Sequence, residues 1–196
     1  MTEGPEVSVL VHELGGMLSS VQGFAHIAEA NPDHPDRERF IMLAASEARR
    51  AAQALKDLHL ARALDRGSIP ASPPPVEMAE LMVQVANEMP ADGLRLVGAP
   101  DVAVRADPAK LCGLLARCAL VAVAPPEVRR AGGGAEISLT LGTAADLDRK
   151  RQALDAPYPD MVLFSLTRRL VAHWGGGFTI GAEGDRTVAT IRLAGA

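Results

Sequence analysis

Apolar residues in the first thirty positions fall at Val7, Leu10, Leu14, Met17, Val21, Phe24 and Ala28, alternately three and four apart. That spacing is the seam of a coiled coil or helical bundle. It predicts a helix over residues 5–30, with Pro5 suited to its first turn. NPDHPD (31–36) reads as a turn. A second helix is expected from about 37 to 65, with a seam at Ile41, Ala44, Ala48, Ala51, Leu55 and Leu58, after which the next seam position is Arg62. Two such helices joined by a short turn make an antiparallel hairpin. One hairpin makes a poor core, so pairing of two hairpins into a four-helix bundle, and hence a homodimer, is expected.

DRGSIPASPPP (65–75) reads as a proline-rich linker, and the pattern changes after it. The expected elements are a helix at 76–89, short strands at 94–97 and 102–105, and a helix at about 107–122 capped by Asp107 with Pro108 in its first turn. AEISLTL (135–141) alternates cleanly. A helix at 160–173 runs into Gly175, Gly176 and Gly177, and FTI with TVATIRL form a closing hairpin around AEGD. The fold class expected is α+β: domains at 1–66 and 76–196, joined by a linker at 67–75, the second domain an α/β sandwich with helices on one face of a mixed sheet.

The heptad places His12 away from the seam. At about 100° per residue, Gly16, Ser19 and Gly23 lie on the same face. The imidazole therefore stands on a flat surface of small residues. An exposed histidine is ordinarily just solvated, and His26, His34 and His59 are read that way. HELGG fails the HExxH zinc pattern, because the position four residues after His12 is Gly16. A neutral imidazole can instead attack phosphorus, with the adjacent Glu13 holding the other ring N–H. The small neighbours leave room for an incoming acyl phosphate and its magnesium.

Composition narrows the classes. The chain has 196 residues, 48% hydrophobic and 22% charged, so it can bury a core, and a net charge of −4 argues against generic nucleic-acid binding. Two cysteines, Cys112 and Cys118, make neither a disulfide framework nor a metal pattern, which fits a reducing cytoplasm. Glu3 and Glu6 replace any basic leader, and no membrane span is expected.

HELGGMLSSVQGFAHIAEA (12–30) resembles the H-box of sensor histidine kinases, in which a histidine and an acidic neighbour open the pattern. The hairpin corresponds to the dimerisation and histidine-phosphotransfer domain. VEMAELMVQVANEM, VRADPAKLCGLLARCAL and RRLVAHWGGGFTIGAEGDRTVATIRL resemble parts of the ATPase-type domain. The resemblance implies that His12 is phosphorylated and that Glu13 assists. Departures are as informative. Gly16 and Met17 stand where the family usually has the phosphatase threonine or asparagine and a proline. The metal-holding asparagine aligns with Cys118, and no asparagine occurs from 88 to 196. Residues 144–160 contain no glycine, and the second glycine box is replaced by MVLFSL. ATP binding needs backbone able to approach the phosphates, an acid and a metal ligand.

A phosphoryl-accepting hairpin beside an ATPase-like domain without ATP boxes resembles the standalone histidine phosphotransferases of the ChpT type. The resemblance implies phosphoryl shuttling between receiver-domain aspartates through His12. It implies no cofactor bound by this chain and Mg2+ supplied by the receiver. The implied partners are response-regulator receivers and the receiver of a hybrid histidine kinase. Helical geometry offers Gly16, Ser19, Ser20 and Gly23 as docking positions. The alternatives are a non-catalytic pseudokinase adaptor that binds a regulator or kinase, and an active small histidine kinase, which requires ATP binding.

Overall fold

The computed structural model describes residues 5–89, 97–98, 100–143 and 160–196. The described residues fall into two compact units: residues up to Ser68 together with 160–162 form the first, and Ile69 onward together with Leu163–Ala196 form the second. The first is built on α1 (Pro5–Ala30) and α2 (Arg37–Asp65), packed as a hairpin.

In α1 the heptad and the burial agree. Val7, Leu10, Met17 and Ala28 are buried, and Leu14, Val21 and Phe24 are half-buried. In α2 the register differs from the expected one. The inward positions are Phe40, Ala44, Glu47, Ala51, Ala54, Leu58 and Ala61, again four and three apart. Ala44, Ala51 and Leu58 belong to both stripes. Ile41 and Leu55 are instead 46% and 43% exposed, and Ala48 is exposed as well. The alanines explain the difference. Two apolar stripes overlap on α2, and toward its C-terminal end alanine takes the inward place, Ala54 rather than Leu55 and Ala61 rather than Arg62, which lets the helix backbones approach closely there.

The turn between the helices is held by backbone bonds and by Arg37 Nε, which donates to Ala28 O at 3.2 Å. The Asp36 N–H donates to His34 Nδ1 at 3.0 Å, which assigns His34 a structural role. At the far end Gly67 adopts φ +63°, its N–H donates to Leu64 O, and the Ser68 N–H donates to Ala63 O. These are the two bonds of a left-handed helix stop, a conformation glycine adopts without strain.

Among the described residues, the second unit carries all the strands. β1 (Pro75–Glu77) pairs antiparallel with β2 (Ala103–Arg105), with α3 (Met78–Asn87) between them in sequence. α4 (Pro108–Val121) starts where Asp107 Oδ1 accepts the Ala109 N–H at 3.0 Å, with Pro108 in the first turn. β3 (Glu127–Ala131), β4 (Gly134–Gly142), β5 (Gly177–Glu183) and β6 (Arg186–Leu193) form a sheet in the order β3-β4-β6-β5. α5 (Asp160–His173) precedes β5.

All pairings between these named strands are antiparallel, which corrects the expected mixed sheet. The parallel pairing among the described residues is one bridge, Val97 to Glu127. Of the strand expected at 94–97, residues 94–96 lie outside the described residues. Strands β1 and β3 were not foreseen, because one is three residues long and the other buries only Val128. Ala135, Ile137, Leu139 and Leu141 alternate into the core from β4, as their pattern predicts, and α4 packs on that strand. α3 packs on α4. α5 reaches β5 through Phe164 and Phe178, whose ring centroids are 5.7 Å apart.

The proline-rich stretch is held down rather than loose. Ile69 is buried, and its carbonyl lies 2.8 Å from His173 Nε2, so that nitrogen is the donor. Trp174 Nε1 donates to Pro70 O at 3.1 Å, and Arg105 Nη1 donates to Ser72 Oγ at 2.8 Å. The end of the chain is stitched in as well. The Arg105 N–H donates to Ala194 O and the Ala196 N–H to Ala103 O. A Cβ on Gly134 would lie 2.1 Å from Leu193 O, which is why the β3–β4 turn is glycine there.

On the other face of β4, Glu136 is buried between two arginines that are themselves exposed. Arg129 Nε donates to its Oε1 at 2.8 Å, and Arg192 Nε donates to its Oε2 at 2.8 Å. The bond from Arg192 holds the Glu136 carboxyl below its usual range against the opposing effect of burial, and Arg129 adds to it. A lowered folded pKa means stability that is fully present above the unfolded pKa, about 4.3 for glutamate, and is lost as pH falls through the folded value. Glu136→Gln should therefore flatten the acid side of the stability profile. Urea midpoints measured from pH 6 to pH 2.5 check this, and parallel curves for parent and variant would contradict it.

Candidate functional site

The site begins with one turn of α1. His12 is exposed, and it lies roughly 180° from the centre of the helix seam. Gly16, Ser19 and Gly23 are exposed on the same side, as the heptad places them. Ser20 and Glu13 are half-buried and lie some 80–100° round the helix on one flank. Ser19 Oγ donates to Gly15 O at 3.0 Å, so the hydroxyl is drawn back onto its own helix. Adjacent positions on a helix do not face each other. Glu13 can therefore hold the imidazole N–H only where the two side chains swing toward each other.

Gly15, Gly16 and Gly23 carry the sharpest physical statement about this face. A Cβ on any of them would meet nothing within 4 Å, and none has a positive φ. Neither packing nor backbone conformation requires glycine at these positions. Each glycine in a helix interior costs about 1 kcal/mol relative to alanine. The three glycines thus cost the helix about 3 kcal/mol in all and leave its surface bare beside His12.

A second surface on the hairpin was missed in the sequence. Val11 and Leu18 on α1 are each 49% exposed, matching the exposed Ile41 and Leu55 on α2. Both stripes are displaced from their seams by about 80–100° in the same rotational sense. In an antiparallel pair this puts these exposed apolar positions on one side of the hairpin, apart from His12.

In the second unit, the positions that resemble an ATP site are core. Cys118 is fully buried on α4. Its sulfur lies 3.6 Å from Thr167 Oγ1, whose own proton goes to Leu163 O at 2.8 Å. Leu163 and Leu166, from the MVLFSL stretch, are buried as well. Burial, with Glu88 and Asp107 adding to it, pushes the Cys112 thiol up to about 11, so it stays protonated at neutral pH. Residues 144–159, the glycine-free stretch, lie outside the described residues. Among the described residues no three His, Cys, Asp or Glu side chains are grouped to hold a metal ion, and no helix is long and apolar enough to cross a membrane.

No family model matches the chain, and no curated protein matches it in sequence. Solved structures do match. The histidine kinase AdeS of Acinetobacter baumannii superposes with a TM-score of 0.65 at 12% identity, over 93% of this chain and 97% of that one. Full-length ShkA, solved in complex with AMPPNP, gives a TM-score of 0.57 at 23% identity over 100% of this chain. The match covers 47% of ShkA, so this chain spans about half its length. A bacterial phosphotransferase gives a TM-score of 0.47 at 15% identity, over 94% of this chain and 92% of that one. The fold is thus α+β, with an N-terminal helical hairpin and a C-terminal antiparallel-sheet domain resembling the core of histidine kinases.

Proposed function

We propose that this chain is a histidine phosphotransferase of the ChpT type, passing a phosphoryl group between receiver-domain aspartates through His12 without using ATP. The observation that carries the reading is the bare face around His12, kept free of side chains at positions where the chain's own packing has no use for glycine. In the forward step a ring nitrogen of neutral His12 attacks the phosphorus of an aspartyl phosphate. The N–P bond forms, the P–O bond to the aspartate breaks, and its electron pair returns to the carboxylate. The ring then carries positive charge, which the Glu13 carboxylate stabilises by holding the other N–H. Transfer to a second receiver is the reverse. Little covalent chemistry is needed beyond positioning and charge neutralisation, so an accessible, flat surface suffices. Magnesium belongs to the receiver, and Gly16, Ser19, Ser20 and Gly23 are the docking positions. Response-regulator receivers and the receiver of a hybrid histidine kinase are the partners.

Three features support transfer without ATP. The position that resembles the asparagine box is the buried Cys118, the stretch that resembles the second glycine box supplies core residues, and residues 144–160 contain no glycine.

The test is to mix the protein with a receiver carrying labelled phosphate. Label stable to alkali and labile to acid should appear on this chain, and ATP alone should supply none. Binding without label would leave an adaptor and overturn the transfer reading.

The apolar side formed by Val11, Leu18, Ile41 and Leu55 supports a homodimer in which two hairpins make a four-helix bundle. Light scattering at micromolar concentration should give twice the 20.6 kDa of one chain. Leu55→Asp should give the monomer with its α/β unit still folded. A parent chain that runs as a monomer would sink the dimer.

A further inference from the structure

The chain leaves α2 and enters the second unit with no slack between them. Ser68 is still tied to α2: its N–H donates to Ala63 O at 3.0 Å, and its Oγ donates to the same oxygen at 3.2 Å. The next residue, Ile69, is already fixed in the second unit, 4% exposed and with its carbonyl bonded to His173.

The slack is taken up by residues 69–74, which form a strap. Pro70, Pro73 and Pro74 have no N–H to give, so a strand ladder cannot hold this segment. Side chains hold it instead. His173 Nε2 and Trp174 Nε1 donate to consecutive carbonyls, Ile69 O at 2.8 Å and Pro70 O at 3.1 Å. Arg105 Nη1 donates to Ser72 Oγ at 2.8 Å, and Pro73 is buried like Ile69. The three pins are themselves well seated. Arg105 lies in β2, where its N–H donates to Ala194 O at 2.9 Å. His173 and Trp174 stand where α5 stops. There the Gly176 N–H returns to Val171 O at 3.0 Å, and a Cβ on Gly176 would lie 2.2 Å from Arg192 O, so the stop is packed directly on β6.

We infer that the strap is a coupling device. It reduces the connection after α2 to one joint, the Ser68–Ile69 peptide and the torsions beside it. A displacement of the end of α2 then reaches the second unit instead of being absorbed by a linker. With the pins released, residues 69–74 become a tether that can extend by at most about 20 Å. Release breaks no strand pairing, so it is a local opening that leaves the sheet intact. The device does not depend on the proposed phosphotransfer.

Two measurements on the full chain test it, with the double variant His173→Ala, Trp174→Phe. Ala71 and Ser72 are exposed, and elastase cuts after small residues. Cleavage after Ala71 should be slow in the parent and roughly tenfold faster in the double variant, the size expected for losing two hydrogen bonds. Spin labels at Asp33→Cys and Thr179→Cys, both exposed, then report distances by electron double resonance. Cys112 and Cys118 are buried and take no label. Dilution with unlabelled chain restricts the signal to pairs within one molecule. The parent should give a narrow distribution, and the double variant a broader one that reaches longer distances. Ile69→Ser, which leaves α5 untouched, should do the same, and His173→Gln, which keeps an N–H donor, should stay near the parent. A broad distribution in the parent would overturn the inference, and so would equal cleavage rates in parent and double variant. An unchanged width in a variant whose strap is cut faster would also overturn it, leaving the coupling to residues 160–162, which group with the hairpin.

Discussion

A His12→Ala chain should take no label from a phosphorylated receiver while staying as stable as the parent. The side chain is exposed and no packing rests on it, so its removal should change stability by no more than about 0.5 kcal/mol. Transfer should fall to background, because the attacking nitrogen is gone. His26 cannot replace it, since fourteen residues of helix separate the two by roughly 21 Å. His34 Nδ1 already accepts the Asp36 N–H. Thermal melts and label transfer on the same preparation decide the matter. Label at the parent's level on a folded His12→Ala chain would remove His12 from the reaction.

Alanine at Gly16 and Gly23 should do two opposite things at once. Each substitution should stabilise the hairpin by about 1 kcal/mol, because helix propensity improves and the added methyl meets nothing. The same methyl should obstruct a receiver that must come close enough for His12 to reach its aspartyl phosphate. A single intruding methylene in a packed contact costs about 1–3 kcal/mol. Each factor of ten corresponds to about 1.4 kcal/mol, so transfer should slow by roughly five- to 150-fold. A small phosphoryl donor such as phosphoramidate should still label His12 at the parent rate, since it needs no docking surface. Chemical denaturation, receiver transfer and small-donor labelling form the set of measurements. A variant that is more stable and transfers at the parent rate would show that the bare face is not for docking. Losing stability would show instead that the backbone needs glycine there.

How much could be read beforehand differs from element to element. The α1 seam was legible because large side chains mark it at nearly every position. The α2 seam was not, because Ala44 and Ala51 serve two stripes equally well, and only packing against α1 shows which of them closes. β4 declared itself by strict alternation over seven residues, whereas β1 and β3 are too short or too polar to alternate visibly. The proline-rich stretch looked like a tether, yet Ile69 and the Pro70 carbonyl are bonded or buried by groups about a hundred residues away. No local pattern announces such a partner.

For the site the division is similar. His12's place outside the seam follows from helical period alone, and so does the company of Gly16, Ser19 and Gly23. Sequence by itself also settled that the stretch 88–196 has no asparagine to hold a metal ion. It could not say whether the glycines serve close packing inside the chain or an approach from outside, because both uses leave the same letters. The tertiary structure excluded the first use, since nothing among the described residues comes within 4 Å of where their side chains would be. It likewise decided which apolar stripe of α2 stays exposed and where the sheet ends. Periodicity is a property of one element and survives in its sequence; contact between elements depends on shape at both surfaces and exists only once the chain is folded.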